Sequence, residues 1–176
     1  GDEVSPAARL AEFQAGLDLL ANNPSDPAAQ NDLLSRSETL VHSINEAAIG
    51  LEASRAQAGD SLVASVAEVN AALSDIAALN ERLALAGTDP TGTSGLMDEM
   101  NRRLDALGSQ MDFQSRWEAD GTLTLHTTGG TELVHGETAV PLSANPETGR
   151  LMAGDIDITP NSATARGSDS GRLAGL

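Results

Sequence analysis

Apolar residues recur along the first part of the chain at the three-and-four spacing of an α-helix. Leu10, Phe13, Leu17 and Leu20 place one helical face between about Ser5 and Ala21. Asn22-Asn23-Pro24-Ser25-Asp26-Pro27 then breaks the pattern. Asp26 is suited to cap a second helix, with Pro27 in its first turn, where no amide hydrogen is needed. From Pro27 towards Ala58 the apolar row is Leu33, Leu40, Ile44, Ala47 and Leu51, interrupted by Ser37. Gly59-Asp60-Ser61 offers a pause. The row resumes as Leu62, Val66, Val69, Leu73, Ile76 and Leu83, with Asn80 in one of its positions, in a nearly pure four–three alternation that signals coiled-coil-like contact. One long helix, kinked or straight, would run about 90 Å; two helices are the alternative. A buried amide at Asn80 would penalise mispaired registers; a partly exposed Asn near a helix end is the alternative reading, of equal weight.

Gly87 to Gly95 reads as a loop. A fourth, shorter helix follows, with Leu96, Met100, Leu104 and Leu107 on one face, Ser94 as its cap and Gly108 as its end. Beyond it the period changes to two. Phe113, Ser115 and Trp117 alternate with polar residues, Asp120-Gly121 makes a hairpin turn, and Thr122 to Thr127 returns. Gly129-Gly130 turns the chain into Glu132–His135. Ala139–Leu142 and Leu151–Ala153 flank the turn at Asn145–Gly149, and Asp155–Ile158 is a last candidate strand before Pro160. Residues 161–170 are polar and expected to be mobile. The expected fold is therefore α+β. An elongated antiparallel helical bundle, a coiled-coil-like stem of long helices, fills residues 1–110. A small antiparallel β region fills 111–176 and ends in the start of a helix, with Asp169 or Ser170 as cap. The missing initiator Met and that unfinished ending read as a piece excised from something longer.

Composition narrows the function. Of 176 residues, 40 % are hydrophobic, but Phe13, Phe113 and Trp117 are the only aromatics, so the core is aliphatic. Twenty-six acids against ten bases, all of them Arg, give a net charge of −16. That balance argues against nucleic acid, whose phosphates demand cations, and against anionic membrane surfaces. The longest purely apolar runs are a few residues, so no membrane-spanning segment is expected, and the acidic Gly1-Asp2-Glu3 does not look like a signal peptide. Without cysteine, disulfides and thiolate metal sites are excluded.

The search for chemistry is thin. Glu38, His42 and Glu46 form one polar helical ridge that would suit a divalent cation, but a solvated face with local pairs explains it more simply. His126 and His135 lie on adjacent candidate strands without a third ligand. Asp155 and Asp157, sharing a strand face, resemble half of a calcium loop whose glycine and glutamate are missing. No Gly-x-Ser-x-Gly elbow exists, Gly129-Gly130 lacks the following helix of a phosphate loop, and Gly167–Gly171 reads as linker. No catalytic, cofactor-binding or metal residue is assigned, no cofactor is expected, and the chain is not read as an enzyme. The apolar seams, satisfied within a bundle or by partners, remain as its main signal.

Several stretches resemble a known family, the flagellar hook-associated protein 1 family. Leu19 to Ala29, with Asn22-Asn23-Pro24-Ser25-Asp26-Pro27 at its centre, and Leu33 to Val41 look like its early helical region. Ser65 to Asn70 and Ile76 to Glu81 are similar to its long-helix pattern. Leu96 to Leu107 resembles its Leu-Leu-Asp-Gln-Arg-Asp helix, departing at Met100 and Asn101. The Asp120-Gly121 hairpin and the Gly171–Leu176 ending follow in the family's order. The resemblance implies a structural subunit connecting hook to filament at their junction. It implies an extracellular place on the bacterial flagellum, reached by flagellar type III export without a cleaved signal. Implied partners are further copies in a ring, the hook protein, a neighbouring hook-associated protein, and an export chaperone acting through termini absent here. The segment alone should be monomeric. The alternative is a secreted module, needle-tip-like or adhesin, binding through its β region.

Overall fold

The computed structural model describes residues 5–87, 90–160, 167 and 171–174. In chain order, among these residues, come α1 (Pro6–Asn22), α2 (Pro27–Ala86), α3 (Pro90–Gln110), β1 (Phe113–Trp117), β2 (Leu123–Thr127), β3 (Glu132–His135), β4 (Thr138–Ala139), β5 (Leu142–Asn145), β6 (Arg150–Ala153), β7 (Ile156–Asp157) and a 3-10 turn (Arg172–Ala174). They form two compact units, Gly1–Arg55 and Ala56–Leu176. The α+β class holds, with long helices first and small antiparallel sheets after them.

The first unit is a helical hairpin. Ser5 caps α1, its hydroxyl accepting from the Ala8 amide at 3.2 Å with Pro6 behind it. The Asp26 carboxylate accepts from the Ala28 amide at 2.9 Å and starts α2, as the Asp-Pro pair predicts. The two helices approach antiparallel at Gly16, where a Cβ would lie 2.8 Å from Arg36 Cδ and 3.4 Å from Leu33 Cδ1. Arg36 spans the contact, donating to the Glu12 carbonyl at 3.0 Å and to Asp32 at 2.7 Å.

In the second unit α2 carries the core. Leu62, Val66, Val69, Leu73, Ile76 and Leu83 are all buried, as their spacing predicts, and meet Met100 and Leu107 of α3. These helices also run antiparallel. Gln110 donates to Glu68 at 2.6 Å at one end, and Arg103 pairs with Asp75 at 3.3 Å further along. The strands bring Leu123, Leu125, Leu133, Val134, Leu142, Leu151 and Ala153 to the same core.

Two asparagines of α2 join the strands to the helix. Asn80, fully buried, accepts from the Leu123 amide at 2.8 Å and donates to the carbonyls of Leu123 at 2.7 Å and Gly136 at 2.8 Å. Asn70 treats Leu142 in the same way, accepting from its amide at 2.7 Å and donating to its carbonyl at 2.9 Å. Each side chain stands where a neighbouring strand would otherwise complete the ladder. Asn80 is thus neither a coiled-coil register device nor a half-exposed helix-end residue.

Of the two readings of the long apolar row, the single helix holds, and several other expectations are corrected. α2 is one continuous helix through Gly59, and Gly59 serves close packing, since a Cβ there would sit 2.9 Å from Pro146 Cβ and 3.0 Å from its carbonyl. The described helices number three, not four. α3 starts at Pro90 rather than Ser94, because Pro at a first helical position pre-sets the backbone angle. It also runs through Gly108, which is not among the positive-φ glycines, with the Met111 amide still bonded to Leu107 at 3.0 Å.

The β region is two sheets, β1-β2-β3-β4 and β5-β6-β7. The expected Ala139–Leu142 strand is split at Pro141, which has no amide to continue a ladder. The division expected at 110/111 follows secondary-structure type, whereas the compact units divide at 55/56, because α3, the strands and the second half of α2 share one core. The α2 helix contains an 18-residue stretch of mean hydropathy 1.5, long and apolar enough to cross a membrane by that measure, where the sequence reading expected no such segment. Half of that stretch is buried within the protein. Gly1–Glu3, Asp169, Ser170 and the polar stretch 161–170, apart from Gly167, lie outside the described residues.

Candidate functional site

The candidate ligand residues are scattered. His42 Nε2 lies 3.2 Å from Glu46, both largely solvent-exposed on α2. In the sheet, His126 stands opposite Glu132 and His135 opposite Thr138, so the register does not pair the two histidines. His135 Nδ1 is 3.8 Å from Glu132.

Asp155 and Asp157 do not share a strand face. Asp155 falls in the turn after Gly154, whose φ is 56°. Asp157 accepts from the Thr159 hydroxyl at 2.6 Å, the Thr159 amide at 3.0 Å and Arg150 at 3.0 and 3.1 Å. Thr159 first, then Arg150, hold its carboxyl below the ordinary aspartate value. Glu118 is lowered likewise by hydrogen bonds from Arg116 and Thr124, and Asp120 by the amide and hydroxyl of Thr122, which close the hairpin turn. Among the described residues no three His, Asp or Glu side chains converge to hold a metal ion.

A shallow cleft of about 650 Å³ between α2 and α3 is lined by Arg82, Ser94, Arg102 and Arg103. Its cations are partly spent within the protein: Arg102 and Arg103 pair with Glu99, and Arg103 with Asp75. Glu99 is correspondingly held below its ordinary value by Arg102 and then Arg103.

Among the described residues, an exposed apolar row runs along α2 in the first unit. Leu34, Val41, Ile44 and Leu51 are 62, 58, 50 and 62 % exposed, and Ser37 and Ala48 complete a three–four spacing along one stripe of α2. Glu38 and Glu52 flank it. Aliphatic side chains at coiled-coil spacing suit a helical partner. The sequence reading placed the row at Leu33, Leu40, Ile44, Ala47 and Leu51. Leu33 and Leu40 instead lie on the adjacent, half-buried row, Leu33 against α1. Two overlapping heptads, Leu33-Leu40-Ala47 and Leu34-Val41-Ala48, were the signal that α2 has two apolar rows here.

A family described as the flagellar hook-associated protein FlgK helical domain matches residues 2–176. The chain is 29 % identical over 184 aligned positions to flagellar hook-associated protein 1 of Escherichia coli K12, covering 96 % of this chain and 33 % of that protein. Flagellar hook-associated protein 1 of Salmonella typhimurium LT2 is also 29 % identical, covering 96 % and 32 %. The solved flagellar hook junction protein FlgK from Burkholderia pseudomallei shares the fold, with a TM-score of 0.77 at 24 % identity over 97 % of this chain and 33 % of that one. The chain thus spans about a third of the length of the relatives it matches.

Proposed function

Because the chain belongs to the flagellar hook-associated protein FlgK helical-domain family, we propose that it is the body of a structural subunit connecting hook and filament at their junction, and not an enzyme. The uncovered apolar row from Leu34 to Leu51 carries this reading. A chain that leaves coiled-coil-spaced leucines in water, yet buries every position of the following seam from Leu62 to Leu83, has the division of labour of an assembly part. The strands turn their apolar residues and two backbone segments onto α2, which supports a scaffold role for the β region.

In this reading the subunit works as a ring of copies, with the hook protein on one side and a neighbouring hook-associated protein on the other. It reaches its extracellular place through the flagellar type III apparatus without a cleaved signal, and a chaperone engages parts of the polypeptide outside these residues. The names of the relatives support the hook-junction location. The net charge of −16 supports a chain that stays monomeric until assembled, since copies repel.

Antibody labelling of intact cells tests the placement. Label is expected at the distal end of the hook, where the filament begins; label spread over the cell surface or confined to the cell interior would count against it.

A further inference from the structure

We infer that residues 5–55 are an order–disorder element: this part of the chain opens on its own, well before the second unit unfolds. Among the described residues N-terminal to Leu62, Ala29 is the only buried apolar side chain. Gly16, Ser43 and Gly59 are the other buried positions there, and Gly59 already belongs to the second unit. Phe13, Leu20, Leu33 and Leu40 are half-buried, and Leu10, Leu17, Leu19, Leu34, Val41, Ile44, Ile49 and Leu51 are exposed. Between α1 and α2, Arg36 donates to the Glu12 carbonyl, whereas the Arg36–Asp32 and Arg9–Glu12 pairs each lie within one helix.

Most helical stability in proteins comes from tertiary packing of an apolar face, and helices without it are marginal in water. Segments with few buried apolar contacts open at free energies far below that of global unfolding. The second unit is the opposite case, with α2 from Leu62, α3 and the strands sharing one aliphatic core and the two asparagine ties. Helix propagation from that core costs little per residue, so opening begins in α1 and moves up α2 from Pro27, fading towards Leu62. On the reading proposed above, the apolar row sits on the element that opens. A partner covering it therefore also pays the ordering entropy of the first unit, and attachment and folding become one event.

The single Trp117, on β1 in the second unit, and the helical signal, to which the first unit contributes strongly, give separate probes. In a urea titration of this chain, circular dichroism at 222 nm should lose amplitude before Trp117 fluorescence changes. Native-state hydrogen exchange should find amides of residues 10–45 at least about a hundredfold less protected than those of Val69–Leu83. Gly16→Val, which forces α1 from α2, should move only the early transition, and Leu107→Ala only the late one. Coincident transitions by both probes, or equal protection along α2, would overturn the inference whatever the protein's cellular role. Mislocalised antibody label would refute the junction role and leave the two-step unfolding standing.

Discussion

Replacing Asn80 with Ala tests the tie between helix and sheet. The side chain is fully buried and makes three hydrogen bonds to backbone groups of Leu123 and Gly136. Truncation leaves the Leu123 amide and two carbonyls without these partners beside a fully buried leucine. Each orphaned buried polar group costs about 1–3 kcal/mol. A truncated side chain also leaves a void, and the three bonds are not independent, so the expected loss is about 3–5 kcal/mol. That is a large share of the roughly 5–15 kcal/mol typical of a domain. Asn80→Leu, which keeps volume but not polarity, should cost nearly as much. Asn80→Asp should be worse, because a carboxylate would face two carbonyls. The half-buried Asn70 makes two such bonds, and Asn70→Ala should cost about 2–3 kcal/mol on the same scale. Urea titration followed by Trp117 fluorescence measures these losses. A cost below about 1 kcal/mol for Asn80→Ala, or equal stability of the Asn80→Leu variant, would refute the reasoning.

Two glycines of α2 should respond with opposite sign. Gly50→Ala meets nothing within 4 Å and should raise the helical signal and stability of the first unit by about 0.5–1 kcal/mol. Gly59→Ala pushes a methyl into Pro146 at 2.9 Å and should lower second-unit stability by about 1–2 kcal/mol despite the better helix former; urea midpoints of both variants decide. Asp157→Asn should destabilise at neutral pH, where the carboxylate accepts from Thr159 and Arg150. A depressed folded pKa gives stability that is present above the unfolded value and lost as pH falls through the folded one. The difference from the parent chain should therefore shrink below about pH 4, and a difference that stays constant down to pH 2 would be contrary. Light scattering of the isolated chain should return the 18.0 kDa mass of one copy; a mass of two or more copies would contradict the charge argument.

Much of the fold was legible because its signals are local. Asp26-Pro27 starts α2, the Asp120-Gly121 turn sets β1 against β2, and the spacing from Leu62 to Leu83 names the buried face, since each is decided by residues within a turn or two. What escaped was decided at a distance. Asn80 meets Leu123 across 43 positions and Asn70 meets Leu142 across 72, so an amide in a seam gave no hint of a strand partner. Gly59 and Gly108 looked like punctuation, but one makes room for Pro146 and the other is simply passed through. The exposed apolar row was half visible. Periodicity locates apolar stripes on α2, but whether a stripe is covered depends on what packs there, so the row read from spacing mixes the two, with Leu33 and Leu40 from the half-buried stripe and Ile44 and Leu51 from the exposed one.

On the function proposed above, the Leu34–Leu51 row belongs to the working surface of a hook–filament junction subunit. Swimming of a strain that lacks the protein, complemented with the full gene carrying Leu34→Gln, Val41→Gln, Ile44→Gln and Leu51→Gln together, tests it most directly. All four side chains are at least half exposed, so the variant should be produced and fold as the parent does, while swimming, restored by the unaltered gene, is not restored. Full swimming with the four substitutions in place, or a strain that swims without the protein, would contradict the account.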